Sequence, residues 1–427
     1  MWELAETLRR HGHEVTVLTS THGDPSGGRS LRDRLVQREE REGVRIVRVP
    51  TLPIHRSHAP AVVRGLGQLV NALVYLEAAL LLRGVDVTLA YSPPLPLALV
   101  GLALQRIHGV PHVLNVQDLV PQYAVDLGVL RSRAAITAAR WVERFLYRQV
   151  KAISVHSRGN ADYLKEVGVP PAKVAIVPNW VDTSLIRPRS RRTQYRTAAD
   201  LDGKFAALFA GMLGFAQDLD TVVEAGSYLR DHPDIVLLIV GDGVEKARLQ
   251  EKVRQLGLRN VRFMPFVSKE AYPEVVASAD VCLATLQKSL LCPVVPSKLL
   301  GYMAAGRPVI ASFPEGGDAP RLVREAGCGI CVPAGDPARL ARAIYSAYTH
   351  PDECRRWGER GRRFVRDHHD REGCVALYEA LFSELTGQPP RAATGARGHG
   401  RARRSAPAAR HAARGVPRPA PCARPLR

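Results

Sequence analysis

Acidic residues are scarce in this sequence: 41 Asp and Glu stand against 60 Lys and Arg, a formal net charge of +19 over 427 residues. Such an excess points toward nucleic acid or membranes, but its placement argues against a dedicated nucleic-acid surface. Residues 387–427 hold ten Arg and no acidic residue, which leaves +9 for the rest of the chain. Large apolar side chains are nearly absent from the same segment. It cannot bury enough surface to offset its ordering entropy, and is expected to be a disordered basic tail. Two readings of it stay open: an idle solvated extension, or a weak, salt-sensitive contact with anionic lipid or nucleic acid. No specific nucleic-acid partner is expected.

Cysteine is missing from the first half; the seven lie at Cys282, Cys292, Cys328, Cys331, Cys354, Cys374 and Cys422. An odd, one-sided set makes a poor disulfide framework. The pair Cys328-Gly-Ile-Cys331 has no second pair or His cluster to complete a metal site, so buried small apolar residues at a strand start are expected. No Asp-X-Asp pair lies at a predicted strand end. Neither a metal nor a cofactor is expected. No run of 18 uncharged apolar residues is present to span a bilayer, and no secretory leader pattern is visible. A cytoplasmic protein is expected.

What is present is a rhythm. Short β-branched or aliphatic runs, at 14–19, 44–49, 86–91, 112–117, 151–155 and 173–177, alternate with segments of helical period, the pattern of a parallel sheet covered on both faces. The alternation pauses and then resumes at 205–211, 234–243, 260–266, 280–285 and 308–312. The predicted organisation is α/β: a first Rossmann-like domain over 1–185, a linker over 186–203 and a second Rossmann-like domain over 204–368. A helix over 369–386 then crosses back, with Val375, Leu377, Leu381 and Leu385 as its inward face. Two doubly wound halves place a cleft beyond the carboxyl ends of their strands, so chemistry is sought in the loops there.

Gly211 and Gly214 follow the first strand of the second domain, and Gly241-Asp242-Gly243 follows the next. Glycines at such turns let backbone approach a phosphate or sugar closely, although tight turns use glycine for their own sake as well. The segment VVPSKLLGYMAAGRPVIAS at 294–312 is more specific. Pro296 and Ser297 read as a helix start whose free N–H groups suit a diphosphate, and Lys298 adds a point charge there.

Taken jointly, the stretches RRHGHEVTVLTS, VLNVQDLVPQYAVDLGVL, VPNWVD, GMLGFAQDLDTVVEA, IVGDGVEKARLQ, VPSKLLGYMAAGRPVIAS and LVREAGCGICVPAGDPARLA resemble the family 4 retaining glycosyltransferases. The likeness is to the branch around the colanic-acid and O-antigen enzymes that transfer fucose or N-acetylfucosamine. It runs in order from residue 9 to about 342 and implies a GT-B fold, with the acceptor in the first domain and a nucleoside-diphosphate-sugar donor in the second. It also implies retention of anomeric configuration without a metal, the departing diphosphate being stabilised by a helix dipole and cationic side chains. The first donor loop would then be Gly211, Gly214 and Gln217, and the second Gly241, Asp242 and Gly243. Phe266 and Val267 would meet the base, while Ser297, Lys298, Leu299 and Leu300 would line the diphosphate and ribose. Asp118 falls on an acidic acceptor-side position, where a helix cap or turn residue is the alternative. Asp118 and Lys298 are the candidate catalytic residues.

The chain departs from that family at Gly301 and Pro293, where glutamates are usual. A catalytically silent nucleotide-binding protein is therefore an alternative, and a nucleotide-sugar 2-epimerase, which shares the fold, is another. The expected acceptor is a lipid-linked saccharide in exopolysaccharide, capsule or O-antigen assembly. An apolar helix over 60–83 packs on the sheet or, by its exposed stripe, touches the inner membrane surface peripherally. The first domain also lacks the strand that the family places before its opening helix, read here in the segment from Met1 to Val15, so an upstream start supplying that strand is expected.

Overall fold

A computed structural model describes residues 1–21, 36–52 and 61–389; the expected basic tail lies outside the described residues from 390 onward. Thirteen described strands follow in chain order: β1 (Thr16–Ser20), β2 (Gln37–Arg41), β3 (Val44–Val49), β4 (Thr88–Ser92), β5 (His112–Val116), β6 (Ala152–Val155), β7 (Val174–Ile176), β8 (Phe205–Ala210), β9 (Ile235–Val240), β10 (Val261–Met264), β11 (Val281–Thr285), β12 (Val309–Phe313) and β13 (Gly329–Pro333). The second half forms one six-stranded parallel sheet in the order β10-β9-β8-β11-β12-β13. Every residue of β9 (IVLLIV) is buried, as a strand covered on both faces requires.

The first half carries two sheets, β1-β3-β2 and β4-β5-β6-β7. Strands β4 to β7 are parallel, whereas β2 runs antiparallel to β3. β1 and β4 are each an edge strand of their own sheet. Strand β2 (QREER) escapes a search for apolar runs because it has no apolar residue. It exists because Glu42 and Gly43, at φ +52° and +76°, turn the chain back onto β3. An Arg48–Glu39 ion pair at 2.8 Å ties the two strands.

Packing adds detail to two expectations. The linker expected over 186–203 contains a helix, Gln194–Ala198, capped by Thr193. Its Arg196 is buried and donates to the Ser278 carbonyl at 2.6 Å and to Asp280 at 3.1 Å. Residues from 193 onward thus belong to the second domain. The returning helix is present as Arg371–Thr386, but its inward stripe runs through Cys374, Val375 and Tyr378, while Leu377 is exposed. Val375 and Tyr378 pack with Leu4 and Leu8 of the helix Trp2–Arg10 and with Val177. The apolar helix of the first domain spans Ala61–Leu80.

The chain crosses between domains twice, and the crossings are bonded to each other. Val181 N donates to His369 O at 3.0 Å, and His369 Nδ1 lies 2.8 Å from Asn179 O. Arg362 donates to the Ile186, Ala304 and Thr183 carbonyls, each at 2.9 Å.

Candidate functional site

The floor of the cleft is built on the carboxyl ends of β8, β9 and β11. The chain leaves β8 through Gly211 and β9 through Gly241 and Gly243, whose φ values of +147°, +156° and +154° favour glycine. The two loops lie on each other. Gly211 N donates to Val240 O at 2.9 Å, Leu213 N to Asp242 O at 2.8 Å and Glu245 N to Leu213 O at 3.0 Å. A Cβ at Gly241 would sit 1.9 Å from the Gly211 carbonyl oxygen, and one at Gly243 would sit 2.3 Å from that of Leu213. Loop-on-loop packing therefore suffices to require both glycines, and the Asp242 side chain turns out to solvent.

Gln217 shapes the first loop by accepting from Gly214 N at 3.1 Å, and its own carbonyl accepts from the Thr285 hydroxyl. Phe266 is exposed and Val267 is half-buried just beyond β10. Beside the first loop lies a cavity of about 230 Å³ lined by Gly214, Phe215, Glu245, Arg248 and Gln287 among others.

The expected helix start is found, with Pro296 capping Ser297–Ala304. The first N–H groups of a helix have no intrahelical carbonyl to meet, and here Ser297 and Lys298 supply them. The side chains of Leu299 and Leu300 are turned away from the cleft. Both are buried in the core, because positions two and three residues past Ser297 face the sheet rather than the cleft. Lys298 is not a solvent-facing point charge either. Its stem is half-exposed, but its Nζ is buried without a hydrogen-bond partner, 3.7 Å from the centroid of the Phe209 ring. Burial pushes its pKa down to about 7, while the π face of Phe209 favours the charged form. Gly211 is the neighbour that leaves room for it: a Cβ there would lie 3.3 Å from Nζ. The structure thus brings the first loop and Lys298 together.

Asp118 lies past the end of β5. It caps no helix by its side chain, since the following helix Gln122–Asp126 begins at Pro121 without a side-chain cap. Burial raises its pKa, and its charge reaches Tyr91, Tyr123 and, across the cleft, Cys292. Gly301 is explained by its neighbour: a Cβ would stand 3.1 Å from the Tyr272 hydroxyl and 3.3 Å from its ring.

Several residues that frame the site gave no sequence signal. The buried Tyr302 hydroxyl receives Ala210 N at 2.9 Å and so ties the helix Ser297–Ala304 to the end of β8. His156 Nδ1 and Asp318 Oδ2, from opposite domains, are both buried and unpartnered. Among the described residues no cluster of His, Cys, Asp and Glu could hold a metal ion.

Residues 1–180 match the family described as Glycosyl transferase 4-like domain, and residues 191–364 match Glycosyl transferases group 1. The chain belongs to these group 1, family 4-like glycosyltransferases. It is 29% identical over 328 residues to the putative colanic acid biosynthesis glycosyl transferase WcaI of Escherichia coli, covering 71% of this chain and 76% of the relative. It is 30% identical over 337 residues to a GDP-mannose-dependent alpha-mannosyltransferase of Mycobacterium tuberculosis, covering 78% and 79%. Sucrose-phosphate synthase from Thermosynechococcus elongatus superposes with a TM-score of 0.72 at 21% identity, covering 91% of this chain and 92% of that one, and the fold is GT-B.

Proposed function

We propose that this glycosyltransferase moves a sugar from a nucleoside-diphosphate donor to a lipid-linked saccharide with retention, in exopolysaccharide, capsule or O-antigen assembly. The observation that carries the reading is the buried, unpartnered Lys298 Nζ beside the start of the helix Ser297–Ala304. A cation without an anion is costly inside a protein. A diphosphate bound at the helix start would supply the missing charge, and the free N–H groups would add to it.

In the transfer, the bond from the anomeric carbon to the diphosphate oxygen breaks, and the acceptor hydroxyl bonds to that carbon from the same face. Its proton passes to the departing phosphate oxygen. Lys298 stabilises the negative charge that grows on the leaving group without a metal, and Asp118 accepts a hydrogen bond that orients the acceptor hydroxyl. The names of the mannosyltransferase and of WcaI support the donor class and the pathway class. The Ala61–Leu80 helix exposes Leu66, Leu69, Val70 and Leu73 on one side. That stripe suits peripheral contact with the cytoplasmic face of the membrane that carries the acceptor. No helix among the described residues is long and apolar enough to cross a membrane.

Incubating the protein with UDP-, GDP- and dTDP-sugars and following nucleoside diphosphate release tests the reading. Release that depends on a lipid-linked acceptor is expected. Binding without turnover for every donor would favour a silent protein, and recovery of an epimerised donor would favour the epimerase.

A further inference from the structure

Several contacts between the domains fall on one loop, residues 286–296, which leads from β11 to the helix bearing Lys298. Its near end is tied to the first donor loop, where Gln287 N donates to Ala216 O at 2.9 Å. Its middle is held by the first domain. One oxygen of Asp126 accepts from both Leu291 N, at 2.9 Å, and Cys292 N, at 2.7 Å. The other oxygen of Asp126 receives Gln122 Nε2 at 2.6 Å, and Gln122 Oε1 receives Arg140 at 3.1 Å. Asn160 donates to Pro293 O at 3.3 Å, and outside the loop Gly159 N donates to Asp318 at 3.3 Å. The far end of the loop is Pro296, the cap of the helix.

We propose that Asp126 is a positioning residue that clasps this loop when the domains meet, so that the first domain completes the diphosphate site of the second. The proposal rests on the reading of Lys298 as a diphosphate contact. A carboxylate suits the task because it only accepts, and one of its oxygens can take two N–H donors while the other is held in place. The Arg140–Gln122 pair fixes that orientation, since Gln122 turns its oxygen to the guanidinium and its amide to Asp126. Asparagine could satisfy the loop only by presenting its own N–H₂ to the amide of Gln122.

Hydrogen exchange on the full chain, with GDP and UDP affinity measured in parallel, tests the clasp. Asp126→Ala is expected to speed exchange of the Leu291 and Cys292 amides roughly tenfold or more, the scale of losing hydrogen bonds to a charged group. It should also weaken nucleoside diphosphate binding severalfold and raise the donor KM, with Asp126→Asn in between. Gly159→Ala is the second variant. Its Cβ would meet Asp318 at 2.5 Å and Pro293 at 2.8 Å, forcing the same contact apart without altering Asp126, and the same loop should exchange faster. Unchanged exchange at 291 and 292 in both variants would overturn the clasp. Faster exchange with unchanged nucleotide affinity would overturn the coupling. Absence of nucleotide binding by the unaltered protein would instead sink the donor reading, while the exchange pattern would still decide whether Asp126 holds the loop.

Discussion

Lys298 carries a stability penalty that its proposed role as a diphosphate contact would account for. Its pKa is near 7 in the folded protein, against an ordinary value of about 10.4. The folded state therefore binds fewer protons than the unfolded state between those values. Stability attributable to this group rises with pH across that window, and the penalty is fully present below pH 7. Lys298→Met should raise the stability of the unliganded protein at pH 6 while weakening nucleoside diphosphate binding at least tenfold. Chemical denaturation and calorimetry on the same variant read both. Wild-type affinity for GDP or UDP should also fall as pH rises above 7, as the anion must then recruit a proton. Lys298→Arg should show no such decline.

Gly301 belongs to the same scale. A glutamate there has to displace the Tyr272 ring, so Gly301→Glu should lower the melting temperature, and Tyr272→Ala should restore part of the loss. The sequence made Lys298 and Ser297 visible because a proline, a small polar residue and a cation mark a helix start. It did not show that the side chains of Leu299 and Leu300 are buried, because residue order along a helix does not say which side faces the cleft. Asp126 and Asp318 stayed hidden, since their partners lie more than 150 positions away in the chain.

Among the elements, the glycine loops are the most constrained. Gly243→Ala should destabilise the second domain by about 1–3 kcal/mol, the scale of a strained backbone position, because its Cβ would strike the Leu213 carbonyl. Gly316→Ala, where a Cβ meets nothing within 4 Å, should be neutral by the same thermal melt. The returning helix makes a second prediction. Ending the chain after residue 368 removes Val375 and Tyr378 from their contacts with Leu4 and Leu8 and should lower the melting temperature of the first domain. Ending it after 386 should not. Alternating apolar runs made nearly every parallel strand legible. β2 was not, because its pairing comes from a turn and an ion pair rather than from burial. The Gln194–Ala198 helix was read as linker because its anchoring residue, Arg196, is a buried charge whose acidic partner sits over 80 residues away.

The whole molecule was legible as two doubly wound halves. How the halves are held was not legible, because hydrogen bonds such as that from Val181 to His369 join backbone groups that no side-chain pattern announces. That paired crossing has a kinematic consequence. A single flexible tether would let the second domain swing, twist and slide relative to the first. Two tethers bonded side by side, Val181 bridging to Asp370, should suppress twisting and sliding and leave rotation about the line of the bridge as the expected motion. The cleft then gapes like a book held at its spine, its width growing in proportion to distance from that line. A single spectroscopic ruler across the open edge should report the entire motion, and a second ruler along the spine should read a constant length.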